Sequence, residues 1–135
     1  MDTAAKLPRI LLVDDHPDTV AIMSLVLTRR GYSVVRAYSV AAARAAAETH
    51  QCDLLITDGN LPDGNGIELM RELKAKHSMP AMLVSGSLDN GKSVESEGFK
   101  YLRKPVDLAR LLDAIQSMEP QASDVPPADG AMESA

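Results

Sequence analysis

Short runs of continuous apolar residues recur along this chain, each ending in a polar or charged residue and each followed by a segment with helical spacing. Ile10-Leu11-Leu12-Val13 runs into Asp14 and Asp15, Leu54 to Thr57 into Asp58, and Met82-Leu83-Val84 into Ser85. A run of this kind, without polar alternation, suits a strand covered on both faces, and such strands belong to parallel sheets flanked by helices. The alternation therefore constrains the chain to an α/β fold, since right-handed crossovers between parallel strands carry helices to both faces of the sheet.

The punctuation between runs fits that scheme. Pro17 and Asp18 open a first helix: proline suits the first turn, and Asp18 can help cap it or favour its dipole. Ile22, Leu25, Val26 and Arg29 share a face, with Arg29 using its stem, and Gly31 reads as the C-cap. Ser33–Ala37 is the second strand. Ser39 is the expected N-cap of an alanine-rich helix, Val40–Thr49, followed by a third strand over 53–57. Gly64 or Asn65 leads into a helix over 66–76 with Ile67, Met70 and Leu73 inward. Pro80 precedes a fourth strand over 81–84. Residues 88–97 have room only for a short helix, ended by Gly98, and a fifth strand lies within 99–102. Asp107 caps a last helix, with Leu108, Leu111, Leu112 and Ile115 on its inner side. This makes five βα units. Strand order 2-1-3-4-5 is one of the common doubly wound orders, and the sequence alone does not select it. Residues 1–8 read as a flexible N-terminal segment and 9–118 as one domain. The stretch 119–135, rich in Pro, Ala, Ser and acids, reads as a disordered tail or linker.

Composition narrows the function classes. The chain has 135 residues, which favours one domain, and 45% are apolar but only 3% aromatic, so its core must be aliphatic. A net charge of −5 argues against a nucleic-acid surface. The single cysteine, Cys52, excludes an internal disulfide and fits a reducing compartment. No apolar run is long enough to span a membrane, and the first residues lack the apolar core of a signal peptide, so a cytoplasmic location is expected.

In a parallel sheet the strand C-termini gather at one edge, where ligands bind. Asp14, Asp15, Asp58, Ser85 and Lys104 would then converge: three carboxylates, a hydroxyl and an ammonium. That set suits a divalent cation and a transferable phosphoryl group. A nucleotide-binding reading fails, because no glycine-rich loop follows the first strand and the acidic pair would repel a pyrophosphate. His16 beside the acidic pair could suggest a metal ligand or a phosphohistidine. Neither is preferred, since a softer metal would normally want more His or Cys nearby. His50 and His77 read as surface groups near helix ends, and Cys52 as packed.

With Leu61-Pro62-Asp63-Gly64 behind Asp58, Ser85-Gly86 after strand four and Lys104-Pro105 after strand five, the chain resembles a response-regulator receiver domain of two-component signalling. The likeness runs from Pro8 to Met118 and implies the flavodoxin-like strand order 2-1-3-4-5. It implies phosphorylation on Asp58, with Mg2+ held by Asp15, Asp58 and the backbone carbonyl of Asn60, and with Asp14 acting through water. Lys104 would pair with Asp58 and later with a phosphoryl oxygen, from a junction that is cis in the family. Ser85 would donate to the phosphoryl group while Tyr101 rotates inward as the switch aromatic; the plainer alternative for Tyr101 is an amphipathic ring at a sheet edge. The donor would be a sensor histidine kinase or a histidine phosphotransfer domain, and the output altered binding of a downstream protein near Tyr101. No direct nucleic-acid binding and no membrane insertion of this segment are expected. Such a domain catalyses its own phosphorylation and dephosphorylation rather than turnover of a separate substrate. It could be a stand-alone regulator or the receiver segment of a hybrid kinase.

The Ser85–Lys104 interval is shorter than the family's by roughly one helical turn of ordinary geometry, so contacts of the fourth helix transfer least well. Asn60 and Ser87 flank the expected path of attacking water. A phosphorylation-independent pseudo-receiver that only binds a partner is the competing account. A hydrolase of small phosphoesters is a third, which lacks a cap insertion to enclose substrate.

Overall fold

Strands β1 (Arg9–Val13), β2 (Ser33–Ala37), β3 (Leu54–Asp58), β4 (Ala81–Ser85) and β5 (Lys100–Arg103) form one parallel sheet in the order β2-β1-β3-β4-β5. This is the flavodoxin-like order, seen here in a computed structural model that describes residues 7–86 and 93–118. Residues 1–6 of the expected segment 1–8, the expected tail 119–135, and the stretch 87–92 with Ser87 and Gly91 lie outside the described residues.

The sheet is buried on both sides, as the uninterrupted apolar runs require. Period-two alternation sends Ile10, Leu12, Leu54, Ile56, Met82 and Val84 to one face, against helices α1 (Pro17–Arg29) and α5 (Leu108–Met118). Leu11, Val13, Leu55, Ala81 and Leu83 go to the other, against α2 (Val40–Thr49) and α3 (Gly66–His77). Among the described residues the expected short fourth helix, α4, covers 93–96, and its Val94 is fully buried in this second layer.

Local chemistry sets the helix ends. Tyr32 N–H bonds the Leu27 carbonyl at 3.1 Å and Gly31 N–H that of Thr28 at 3.0 Å, with Gly31 at φ 95°. This Schellman closure of α1 needs a residue that enters the left-handed region without a Cβ penalty. Ser39 caps α2 by accepting from the Ala42 N–H at 3.1 Å, and Asp107 caps α5 by accepting from Ala109 N–H at 3.0 Å. Across the exposed surface, Arg44 pairs with Glu72 at 2.9 Å and Lys76 with Glu48 at 2.8 Å, joining α2 to α3; exposed pairs of this kind add little stability.

Of the two roles open to Asp18 the structure selects the second: His16 holds the N-cap position of α1 without a side-chain cap bond, and Asp18 lies in the first turn, where its charge favours the dipole. Two expectations are corrected. The third and fifth strands are each displaced one residue onward from the expected 53–57 and 99–102, which makes Asp58 the last residue of β3 rather than the first beyond it. The inner face of α1 is Val20, Met23, Ser24 and Leu27, whereas Ile22 and Leu25 are 56% and 52% exposed. Both stripes follow the i, i+3, i+4, i+7 spacing, so periodicity could not choose between them. The turn from β1 through Pro17 sets the rotation of the helix against the sheet.

The two stripes make a direct test. Leu27→Ala should lower unfolding free energy by about 2–5 kcal/mol, and Leu25→Ala should stay within about 0.5 kcal/mol. Urea denaturation of both variants reads the difference; equal losses would put the packing face where periodicity first suggested.

Candidate functional site

The strand C-termini open on a hollow of about 410 Å3 lined by Asp15, His16, Asp58, Asn60, Ser85, Gly86 and Lys104. A hollow of about 440 Å3 lies elsewhere, beside Pro80, Phe99 and Met118, but no carboxylate lines it. Chemistry rather than size therefore selects the first.

Each functional side chain arrives from a strand end. Asp14 follows β1, and its N–H bonds the Ala37 carbonyl of β2 at 3.2 Å, which carries the β1–β2 ladder one residue past the strand. Its side chain is almost fully buried. Asp58 ends β3; one carboxylate oxygen accepts from the Gly59 N–H at 2.7 Å, and the other lies 3.4 Å from the Lys104 ammonium. The same ammonium lies 3.3 Å from Asp14. Lys104 thus spans two carboxylates, one just beyond β1 and the other at the end of β3. Its peptide bond to Pro105 is cis, as the family likeness implied.

Ser85 ends β4 and is buried. Its backbone carbonyl accepts from the Lys104 N–H at 3.0 Å and from the Tyr101 hydroxyl at 3.2 Å. One carbonyl therefore joins the hydroxyl residue, the lysine and the aromatic ring across β4 and β5. The Tyr101 ring is half-buried against the core layer under α2 and α3. Tyr101 lies on β5, the edge strand of the sheet, so the plainer reading of an amphipathic ring there fits the structure as well.

Asp14, Asp15, His16 and Asp58 each place one donor atom within 4.8 Å of the others. His16 Nδ1 lies 2.9 Å from Asp14 and 3.1 Å from Asp15, and the Asp14 bond foremost, with the Asp15 charge behind it, raises the imidazole pKa above its ordinary value. Three carboxylates thus face one ammonium, with two of them, Asp14 and Asp58, only 3% and 7% exposed. Buried negative charge in excess of its partners is costly, and an all-oxygen donor set of this kind fits a hard divalent cation.

Two supports of the site were not visible in the sequence. Gly66 opens α3 with its N–H on the Gly59 carbonyl at 3.0 Å, and a Cβ there would overlap the Asp58 carbonyl oxygen. That carbonyl also accepts from the Thr57 hydroxyl at 2.9 Å. Asp63, in the Leu61-Pro62-Asp63-Gly64 segment, accepts from the Val40 N–H at 2.7 Å and the Ala41 N–H at 2.9 Å. It thereby caps α2 from the loop that follows Asp58. These N–H bonds, that of Ala41 first, lower the Asp63 pKa below its usual 3.8. The partner helix starts 23 residues away, so no local signal reveals the role. His50 and Cys52 lie outside the hollow; Cys52 is half-buried, and its burial raises the thiol pKa.

The family model for the response regulator receiver domain matches residues 10–116. The chain belongs to the response-regulator receiver family. The receiver is 32% identical over 126 residues to response regulator protein PilR of Pseudomonas aeruginosa, covering 87% of this chain and 28% of the relative. It is 34% identical over 118 residues to the transcriptional regulatory protein GlrR of Escherichia coli, covering 84% and 27%. The chain thus spans about a quarter of the length of these curated relatives. Among solved structures, a receiver domain from Clostridium thermocellum aligns with a TM-score of 0.76 at 31% identity, covering 83% of this chain and 94% of that one. A receiver protein from Pseudomonas putida aligns at 0.75 and 30%, covering 84% and 99%. The carboxylate cluster of the receiver is typical of a receiver phosphorylation site and suits chemistry on its own aspartate rather than general catalysis. Among the described residues no helix is long and apolar enough to cross a membrane.

Two outcomes follow for the loop behind Asp58. Gly66→Ala should destabilise the receiver by about 1–3 kcal/mol, the usual scale for overpacking, read as a lower urea midpoint at unchanged slope. For Asp63 the folded pKa is depressed, so its stabilisation is complete above the ordinary value of 3.8 and is lost as pH falls through the lowered one. Asp63→Asn should be less stable at neutral pH and show a shallower loss in acid; identical acid profiles would remove Asp63 as a contributor.

Proposed function

We propose that the receiver takes a phosphoryl group from a phosphohistidine onto Asp58 and thereby changes the binding of a partner protein. The observation that carries this reading is the position of the Asp58 carboxylate, on the wall of an open hollow, with one oxygen held by Gly59 N–H and the other 3.4 Å from Lys104. A carboxylate oxygen attacks phosphorus: the P–O bond forms, the P–N bond breaks, and the electron pair leaves with the donor imidazole, which takes up a proton. Lys104 offsets the negative charge that spreads over the phosphoryl oxygens. Water attack on the acyl phosphate then returns the carboxylate and releases phosphate.

Asp15, Asp58 and the backbone carbonyl of Asn60 would hold Mg2+, with Asp14 acting through water. A cation held there would offset the negative charge that develops during phosphoryl transfer. Ser85 donates its hydroxyl to the phosphoryl group, and Tyr101 follows. The shared Ser85 carbonyl supports this coupling, since a shift of that backbone changes what the Tyr101 hydroxyl and the Lys104 N–H can reach. The donor is a sensor histidine kinase or a histidine phosphotransfer domain. Exposed Ile22 and Leu25, on the helix that begins at the hollow, offer such a partner an apolar surface. The site is read as working in the cytoplasm, either as a stand-alone regulator or as one segment of a longer protein.

Intact-mass spectrometry after incubation with Mg2+ and acetyl phosphate tests this. Wild type should gain a single labile phosphoryl group, Asp58→Asn none. Lys104→Ala should still bind Mg2+ but show a weaker response of partner binding to phosphorylation. A modification that persists in Asp58→Asn rules out Asp58 as the sole acceptor. No adduct on wild type, from either acetyl phosphate or a phosphohistidine donor, favours the pseudo-receiver that binds partners without phosphorylation.

A further inference from the structure

Arg71 and Lys74 have no part in the chemistry above, yet both reach from α3 to the junction between α4 and β5. They lie three residues apart and so share one face of α3. Arg71 donates to both carboxylate oxygens of Glu97, from Nε at 2.8 Å and from Nη2 at 2.6 Å. Lys74 Nζ lies 3.4 Å from the Glu97 carbonyl oxygen and 5.1 Å from the centre of the Phe99 ring. One side chain grips the carboxylate, the other the backbone beside it and the ring two residues on. A forked pair of this kind fixes orientation as well as distance, and an ammonium over an aromatic face adds its own attraction.

The clasp closes on the point where α4 becomes β5. Gly98, at φ 91°, ends α4 with its N–H on the Glu95 carbonyl at 3.0 Å and with the Phe99 N–H on that of Val94 at 3.1 Å. Phe99 is buried in the same layer as Val94, and Tyr101 packs against that layer. Period-two alternation puts both rings on one face of the sheet. Because β5 begins at Lys100, the clasped residues lie directly before the strand that carries Tyr101 and leads to Lys104. A shift of β5 that carries Tyr101 with it pulls on Phe99 and Glu97.

The distances set the direction of the effect. Both Arg71–Glu97 bonds already have the length of strong charge-assisted bonds, so displacing either partner weakens them. In the same arrangement Lys104 pairs with the Asp58 carboxylate itself. We infer that Arg71, Lys74 and Glu97 form a brake on the switch: they favour the arrangement in which Lys104 pairs with the Asp58 carboxylate, and oppose the movement of β5 that a phosphoryl group on Asp58 brings. This rests on the receiver reading of Asp58, Ser85 and Tyr101 and goes beyond it in giving α3 a regulatory part. By linkage, a contact that holds β5 back also weakens binding of a phosphoryl group at the far end of the sheet, and its loss strengthens that binding.

Titration of the full chain with beryllofluoride, a phosphoryl mimic, in the presence of Mg2+ tests the brake on wild type, Arg71→Gln, Glu97→Gln and the double variant. Hydrogen exchange of the Gly98 and Phe99 amides is read on the same samples. Both side chains are partly exposed, so the variants should fold. Each single variant should bind the mimic about two- to fivefold more tightly, the range that a surface ion pair supports. The double variant should bind no more tightly than either single one, since the two residues act as a pair. The two amides should exchange faster in all three. Equal or weaker binding of the mimic despite faster exchange would overturn the brake and leave the contacts a merely structural tie. Unchanged exchange would overturn the clasp itself. Wild type that binds no mimic and takes no phosphoryl group from acetyl phosphate is a different result: there the receiver reading fails, and the brake falls with it.

Discussion

Burial of the central strands on both faces governs this molecule. Almost every side chain of β1, β3 and β4 is shut off from water, so these strands have no room for a solvated polar group along their length. Polar chemistry is displaced to the strand ends. Because the five strands of the main sheet are parallel, those ends meet at one edge, with Val13 beside Thr57, Asp58 beside Val84 and Ser85 beside Arg103. The hydrophobic effect thus does more than hold the sheet together. It decides where charge is allowed, and the register then sets which charges become neighbours.

Charge gathered in this way must be held, and backbone groups do much of the holding. Gly59 N–H, the Thr57 hydroxyl and the close approach of Gly66 fix the end of β3 around Asp58. Asp63 fastens the same loop to the start of α2, and the Ser85 carbonyl fastens β4 to Lys104 and Tyr101. The side chains of the cluster are fewer than the contacts that position them. A substitution two or three residues from a functional group can therefore act on the chemistry without touching it.

The fold was largely legible because it is written in local pattern. Continuous apolar runs, Ser39 before an alanine-rich helix, Gly31 after Arg30 and Asp107 before Leu108 each carry their own physical reason. The convergence of Asp14, Asp15, Asp58, Ser85 and Lys104 was legible too, since each closes or follows a strand of the same direction. The packing face of α1 was not. Val20, Met23 and Leu27 compete with Ile22, Leu25 and Val26 on equal periodicity, and only the docking of the helix on the sheet separates them. The direction of the His16 ring was not legible either, because a histidine beside two acids can face solvent or the cluster at little cost in chain geometry.

By itself the sequence determined the fold class, the number and order of its elements, and the residue types brought to the sheet's carboxyl edge, because these depend on neighbours within one turn or one strand. Tertiary structure alone decided which stripe of α1 is buried, that Asp63 caps a helix 23 residues away, that Gly66 has no space for a side chain, and that Lys104 reaches Asp14 across 90 residues of chain. Those relations are distances between segments that local pattern leaves independent. They become fixed only when helices pack against a common sheet and backbone groups find their partners across it.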